Sequence, residues 1–359
     1  MTRIPCLDYN IVIETGFSTL AEELSRLGFA GRGICIVSDS NLAGLYAGPL
    51  QDLLASAPGG ARVSAYMFPG GEENKNLDEI RAMYGFFLER RLDRKSLVLA
   101  LGGGVTGDAA GFAAATYMRG LPFVQVPTTL LAQTDASVGG KVAVDFMGQK
   151  NLVGAFYQPR LVYINLDTLK TLPPEHFANG MAEIVKHSLI LDRDFAEWLW
   201  EERARIMAGD TEAVRETLRR SCGIKAGVVS RDAKETGERE LLNFGHTFGH
   251  AIESLSGFSM HHGQCVAVGM AAAAYLSMER GYVGEKDLRR CEELLTYFGL
   301  PVRARGFEPE SVAAQMRLDK KTRDGGVRLV LLREAGKAYV EENAGEDEIM
   351  RALKYIISM

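Results

Sequence analysis

Short apolar runs alternate with amphipathic stretches through the first half of the chain. Residues 34–37, 63–68, 97–101 and 123–126 are rich in β-branched, aliphatic and aromatic side chains and read as buried strands, while 77–91 repeats its apolar positions at helical spacing. Strands separated by helices imply a parallel α/β sheet. Beyond about Thr171 the texture changes: 175–190, 194–207, 212–230, 243–255, 264–280 and 287–298 carry apolar residues at a 3.6-residue period, so helices follow. Pro173 and Pro174 suit the first turn of the opening helix. The pattern predicts a parallel α/β domain over 1–171 and an all-helical domain over 172–359, without internal repeats. A chain of 359 residues exceeds the usual single core, in keeping with two domains.

Composition narrows the class. With 47% hydrophobic and 24% charged residues the chain reads as folded throughout, and a net charge of −5 argues against nucleic acid or an anionic membrane as partner. The five cysteines are scattered and never form a C-x-x-C pair, which fits a reducing, cytoplasmic setting. Pro5 and Asp8 interrupt any signal-like core, and no window approaches the roughly 18 apolar residues of a membrane span.

The candidate chemistry lies in two regions. In the first, the strand at 97–101 runs into Gly102, Gly103, Gly104 and Gly107 and then a small-residue helix with Asp108 at its start, a turn that brings backbone close to a pyrophosphate. The pattern is a weak Rossmann signal alone, since the acidic residue expected about 20 positions later is missing. Two further loops follow strands, one with Glu72 and Lys75, the other with Thr128, Thr129, Asp135 and Lys141; together they predict a ligand site at the carboxyl ends of the strands. In the second region His246 and His250 stand four apart on one helical face, His261 and His262 open the next helix, and Glu183, Lys186 and His187 lie on an earlier one. Such clustering predicts a metal site, but periodicity leaves open whether His246/His250 or Glu183/His187 supply it. Motifs for zinc fingers, zincins and α/β-hydrolases are absent from the sequence. Arg119, Lys141, Lys150, Lys186, Lys225, Arg239, Lys320 and Lys321 lie in or near these segments of an acidic chain, which predicts a pocket for a small polyanion.

These segments together resemble the 3-dehydroquinate synthase family over nearly the whole chain: GEENK (71–75), LGGGVTGDAAGFAAATYMRG (101–120), PFVQVPTTLLAQTDASVGGK (122–141), KNLVGAFYQP (150–159), GMAEIVKH (180–187), LLNFGHTFGHAIE (241–253), HGQCVAVGM (262–270) and LDKKTRDGGVRLVLL (318–332). The resemblance implies a Rossmann-like nucleotide-binding α/β domain joined to a helical metal-binding domain. It implies Glu183, His246 and His262 as ligands of Zn²⁺ or Co²⁺. NAD would be held by Asp39, Asn41, Glu72, Lys75, Gly104, Val105, Asp108, Thr128 and Thr129, with Asp135, Lys141, Lys150 and Thr171. The substrate, an anionic sugar phosphate, would meet Arg119, Lys141, Lys150, Asn151, Lys186, Lys225, Arg239, Asn243, His250 and one of Lys320 and Lys321. Among these, His250, Lys141, Asn243 and Asp135 are the catalytic candidates. Arg119 would reach the phosphate site of a neighbouring subunit, which implies a homodimer. Val142, Asp145, Gln264 and Asn74 depart from the family's common residues and remove none of these groups.

The implied reaction converts 3-deoxy-D-arabino-heptulosonate 7-phosphate into 3-dehydroquinate and phosphate. NAD oxidises an alcohol transiently so that a neighbouring proton becomes removable and phosphate leaves; re-reduction and an intramolecular aldol closure follow. Rival readings are a cyclase acting on sedoheptulose 7-phosphate, a metal-dependent polyol or glycerol dehydrogenase, and a non-catalytic binding protein on the same fold. Lys225, Arg239, Asn243 and Asn151 favour the carboxylate-bearing substrate.

Overall fold

The alternation seen in the sequence becomes a seven-stranded sheet whose two faces bury alternate residues. The computed structural model describes residues 1–235, 237–257, 259–318 and 327–358. In chain order the first part comprises β1 (Thr2–Cys6), β2 (Tyr9–Glu14), α1 (Leu20–Arg26), β3 (Gly33–Asp39), α2 (Gly48–Ser56), β4 (Arg62–Phe68), α3 (Leu77–Glu89), β5 (Leu97–Gly102), α4 (Gly104–Thr116), β6 (Phe123–Pro127), β7 (Lys141–Phe146), β8 (Gln149–Phe156) and β9 (Val162–Asn165). The sheet order is β1-β2-β9-β6-β5-β3-β4, with β1 antiparallel to β2 and the remaining neighbours parallel. Ile34 and Ile36 face α1 and α2, whereas Cys35 and Val37 face α3 and α4, as the two-residue period of a strand requires. Both faces are covered, which explains why β3, β5 and β6 read as continuous apolar runs. The chain moves outward from β3 to β4, then returns to the other side of β3 with β5 and continues to β6. That reversal puts a topological switch point between the carboxyl ends of β3 and β5, where open α/β sheets bind ligands. β7 and β8 form a separate antiparallel hairpin beside α4.

The chain divides into two units, Met1–Leu172 with Lys225–Ser230, and Pro173–Ile224 with Arg231–Met359. The second contains α5 (Pro174–Leu191), α6 (Arg193–Met207), most of α7 (Thr211–Arg231), α8 (His246–Leu255), α9 (His262–Glu279), α10 (Glu285–Tyr297), β10 (Ala304–Arg305), α11 (Pro309–Leu318), β11 (Val327–Glu334), β12 (Lys337–Ala344), α12 (Glu346–Ile356) and β13 (Ile357–Ser358). α9 is apolar all round and packs against α5, α8, α10 and α12, the behaviour of a central helix. The unit is helical with one amendment to the all-helical expectation: β11 and β12 pair as a hairpin and β10 pairs with β13. The hairpin lies on α9, where the Ser277 hydroxyl accepts the Leu332 N–H at 2.9 Å. The helix expected over 243–255 begins at His246 instead, after a 3₁₀ turn at Glu238–Asn243. Gly245 holds φ at +80°, outside the helical region, and so fixes the start. No helix among the described residues is long and apolar enough to cross a membrane.

Candidate active site

In the first unit the loops that follow β3, β4, β5 and β6 bring the nucleotide candidates together. Asp39 ends β3; one carboxylate oxygen accepts the Asn41 N–H at 3.0 Å and the other the Thr106 hydroxyl at 3.3 Å, bridging the switch point. Val105, Thr106 and Asp108 lie in the first turns of α4, whose N-cap is Gly103 and has no side-chain cap, so its terminal N–H groups remain available to an anion. Gly107, inside α4, permits close packing on β6: a Cβ there would lie 2.7 Å from the Gln125 side-chain oxygen. Thr128 donates its N–H to the Gly102 carbonyl at 2.9 Å, while the Thr129 hydroxyl caps the next turn through the Ala132 N–H.

Lys75 is the centre of this half-site. Only 4% exposed, it lies 2.7 Å from Asp108 and 3.9 Å from Glu72, and it donates to the Asn151 side-chain oxygen at 2.5 Å. Burial pulls its pKa down, but Asp108 and Glu72 outweigh that and hold it above the ordinary lysine value. Asp108 goes the opposite way for a carboxylate: burial pushes it up to about 6, against the counteracting charge of Lys75. Asn151, expected at the substrate, is thus tied to the nucleotide candidates, and its N–H is held by Asp145 at 2.8 Å. Lys225 is buried and bonds the Asp135 carboxylate and carbonyl, both at 2.5 Å. Thr171 meets the Tyr46 hydroxyl at 2.5 Å, a contact the sequence reading missed. Lys141 and Lys150 stand exposed on the β7–β8 hairpin. Arg119 is exposed in a turn where Met118, Arg119 and Gly120 all have positive φ.

In the second unit Glu183, His246 and His262 offer ligand atoms within 4.8 Å of one another. Helix α5 carries Glu183 fully buried, and Lys186 one turn on bonds its Oε2. The other oxygen, Oε1, has no hydrogen-bond partner among the described residues, and both histidine Nε2 atoms face it at 3.7 Å. Each ring is oriented from behind. His246 Nδ1 donates to the Phe244 carbonyl at 3.2 Å and His262 Nδ1 to Glu253 at 3.1 Å, so both Nε2 lone pairs point toward Glu183. A buried anionic oxygen between two imidazole lone pairs suits a divalent cation; tetrahedral zinc with bonds of ~2.0–2.2 Å holds its ligand atoms about 3.3–3.6 Å apart. Of the pairs the sequence left open, His246 belongs to this group, and His187 also offers a ring nitrogen within 4.8 Å of a Glu183 oxygen. His187 meets the Ser221 hydroxyl at 2.8 Å, while His250 lies beside the group with its ring 5.2 Å from that of His246. Arg239 is buried, with its N–H on Asp232 and its guanidinium on the Ala233 carbonyl, and Asn243 closes the 3₁₀ turn before Gly245. Lys320 and Lys321 lie outside the described residues. Glu253 lies three residues after His250 on α8, and helical spacing alone puts it on the same face.

A parallel-sheet unit with a nucleotide-type switch point, joined to a helical unit holding a carboxylate and two imidazoles, is the architecture of the sugar-phosphate cyclases. The solved structure of 2-epi-5-epi-valiolone synthase from Streptomyces hygroscopicus, with NAD⁺ and Zn²⁺ bound, matches with a TM-score of 0.88 and 27% identity, covering 99% of this chain and 98% of that one. That of 2-deoxy-scyllo-inosose synthase, complexed with carbaglucose-6-phosphate, NAD⁺ and Co²⁺, matches at 0.86 and 26%, covering 99% of each chain. A glycerol dehydrogenase from Schizosaccharomyces pombe, at 16% identity and a TM-score of 0.69 over 98% of this chain and 89% of that one, shares the fold. Family models for the 3-dehydroquinate synthase N-terminal and C-terminal regions match residues 65–179 and 180–322. The 3-dehydroquinate synthase of Acetivibrio thermocellus is 42% identical over 96% of this chain and 94% of its own length, and that of Syntrophotalea carbinolica 45% over 91% and 90%. The chain belongs to the 3-dehydroquinate synthase family.

Proposed function

We propose that the chain catalyses the 3-dehydroquinate synthase reaction, converting 3-deoxy-D-arabino-heptulosonate 7-phosphate into 3-dehydroquinate and phosphate, with NAD and a divalent metal as cofactors. The observation that carries this reading is the unpaired buried Glu183 Oε1 facing His246 and His262, in a chain 42% to 45% identical to curated synthases. The loops after β3 to β6 would hold the nucleotide, and Glu183, His246 and His262 the metal. When bound, NAD supplies a reversible two-electron oxidant and the metal a Lewis acid that eases alcohol deprotonation.

The remaining work falls to this chain's side chains. Lys75, neutralised by Asp108, fixes the nucleotide loop without leaving an unpaired charge. Lys141, Lys150 and Arg119 hold the substrate phosphate, Arg119 from a second copy of the chain, so the working form is a homodimer. Lys225 and Arg239 take the carboxylate. His250, beside the metal group but not in it, orients or relays a proton together with Asn243, while the departing phosphate itself serves as a base. Because the alcohol is oxidised and then restored, the nicotinamide is a catalyst and not a reagent.

The test is to supply the heptulosonate phosphate, substoichiometric NAD and Zn²⁺ to the purified protein. Equal amounts of phosphate and dehydroquinate, with no accumulated NADH, are expected. Net NADH would identify a dehydrogenase instead. His246→Ala should lose both the metal and turnover; an active, metal-free variant would overturn the ligand assignment.

A further inference from the structure

The first unit has a charged pocket at the opposite end of the sheet from Lys75 and Asp108. It offers about 180 Å³, partly open to solvent, where β3 and β4 begin and α3 has just ended, and Arg62, Arg90 and Arg91 line it. β3 runs from this cavity at Gly33 to Asp39, so at about 3.3 Å per residue the two ends lie roughly 20 Å apart. No carboxylate lines the cavity among the described residues. The guanidinium groups of Arg62 and Arg91 have no hydrogen-bond or ion-pair partner among the described residues, whereas Arg90 lies 3.6 Å from Glu89 and over the Phe86 ring.

Ordinary structural causes account for part of this charge. β4 is an edge strand, where a cation discourages pairing with other chains, and the end of α3 presents roughly half a negative charge that attracts one. Half a charge and one loosely paired glutamate still leave more than one positive charge on three exposed arginines around an acid-free pocket, in a protein of net charge −5. Arg91 also has a φ of +54°, at a helix end where glycine is preferred, so its backbone is strained.

We propose that this cavity binds a small phosphoryl dianion, with Arg62, Arg90 and Arg91 as its ligands. Guanidinium forks match the spread oxygens of a phosphate, and a tetrahedral dianion satisfies several forks where a lone carboxylate satisfies one. The pocket has room for a phosphoryl group with a short organic stub. The group arrives either as inorganic phosphate or as the terminus of a phosphate monoester.

Equilibrium dialysis of the full chain with labelled inorganic phosphate, at constant ionic strength in chloride, tests this. Arg62→Gln/Arg91→Gln should bind one phosphate fewer per chain, or bind at one class of site at least 10-fold more weakly, with NAD affinity unchanged. Arg91→Gly guards against a folding artefact: it removes the cation while relieving the backbone, so it should be no less stable to heat yet weaker for phosphate. Competition with glycerol phosphate separates the two sources, tighter monoester binding naming the monoester and weaker binding naming free phosphate. Equal phosphate stoichiometry and affinity in wild type and both variants would overturn the site. Displacement by malonate as effective as that by phosphate would overturn the phosphoryl assignment.

Discussion

At the scale of single residues, the centre is organised by what stands behind each reactive group. His246 leans on a neutral carbonyl and His262 on a buried carboxylate, so the two rings are oriented by partners of different charge. Glu253→Gln should weaken metal binding about 10- to 100-fold, with Glu253→Asp intermediate, as read by competition with a chromophoric chelator. An unchanged affinity would mean that the 3.1 Å contact does not orient the ring. Asp108 gives a pH signature. Its pKa is raised from 3.8 to about 6 in the folded protein, so its stabilising contribution is complete below pH 3.8 and is lost as pH rises through 6. Asp108→Asn should therefore gain stability relative to wild type between pH 4 and 7, measured by urea unfolding at intervals; a constant difference would contradict the shift. The departures from the family's usual residues also have local explanations. Gln264 accepts the His261 N–H and caps α9, Asn74 bonds the Gly70 carbonyl, Asp145 holds Asn151, and Val142 packs in the core with α4 residues.

Elements decide which residues can meet. β3, β5 and β6 were legible because strands buried on both faces are apolar throughout, and α6 and α7 because their exposed faces are strongly polar. β11 was not: its residues were read as a cation-bearing motif, and a single hairpin leaves too short a pattern to separate from a helix end. The helical period placed the start of α8 at Asn243, but the N-cap Gly245 holds a left-handed φ, so the helix begins three residues later, at His246. Gly245→Ala would force an L-residue to a φ of +80° with its Cβ 2.7 Å from Met270. We expect a loss of about 2 kcal/mol or more in unfolding free energy. Because His246 is the next residue, metal affinity should fall in the same variant; calorimetry with and without Zn²⁺ reads both. A variant as stable as wild type would show that the turn is not required.

At the scale of the whole molecule, charge is distributed against the average. A chain of net charge −5 gathers its exposed Lys141, Lys150 and Arg119 and buried Lys186, Lys225 and Arg239 in the segments given to the substrate. Lys225→Ala should raise the substrate KM while leaving the NAD dissociation constant within about twofold, because its partner Asp135 lies outside the Lys75 cluster. Equal loss of both would refute the separation of roles. The sequence by itself determined the parallel sheet, the helical second region and the concentration of histidines and cations, since these follow from periodicity and composition, which are local. It did not determine which imidazoles pair with Glu183, that Glu253 backs His262, that Asn151 belongs to Lys75, or that Arg62 and Arg91 share a cavity. Those partners lie from 9 to 79 residues apart or on separate elements, so only the packing of the folded chain brings them together.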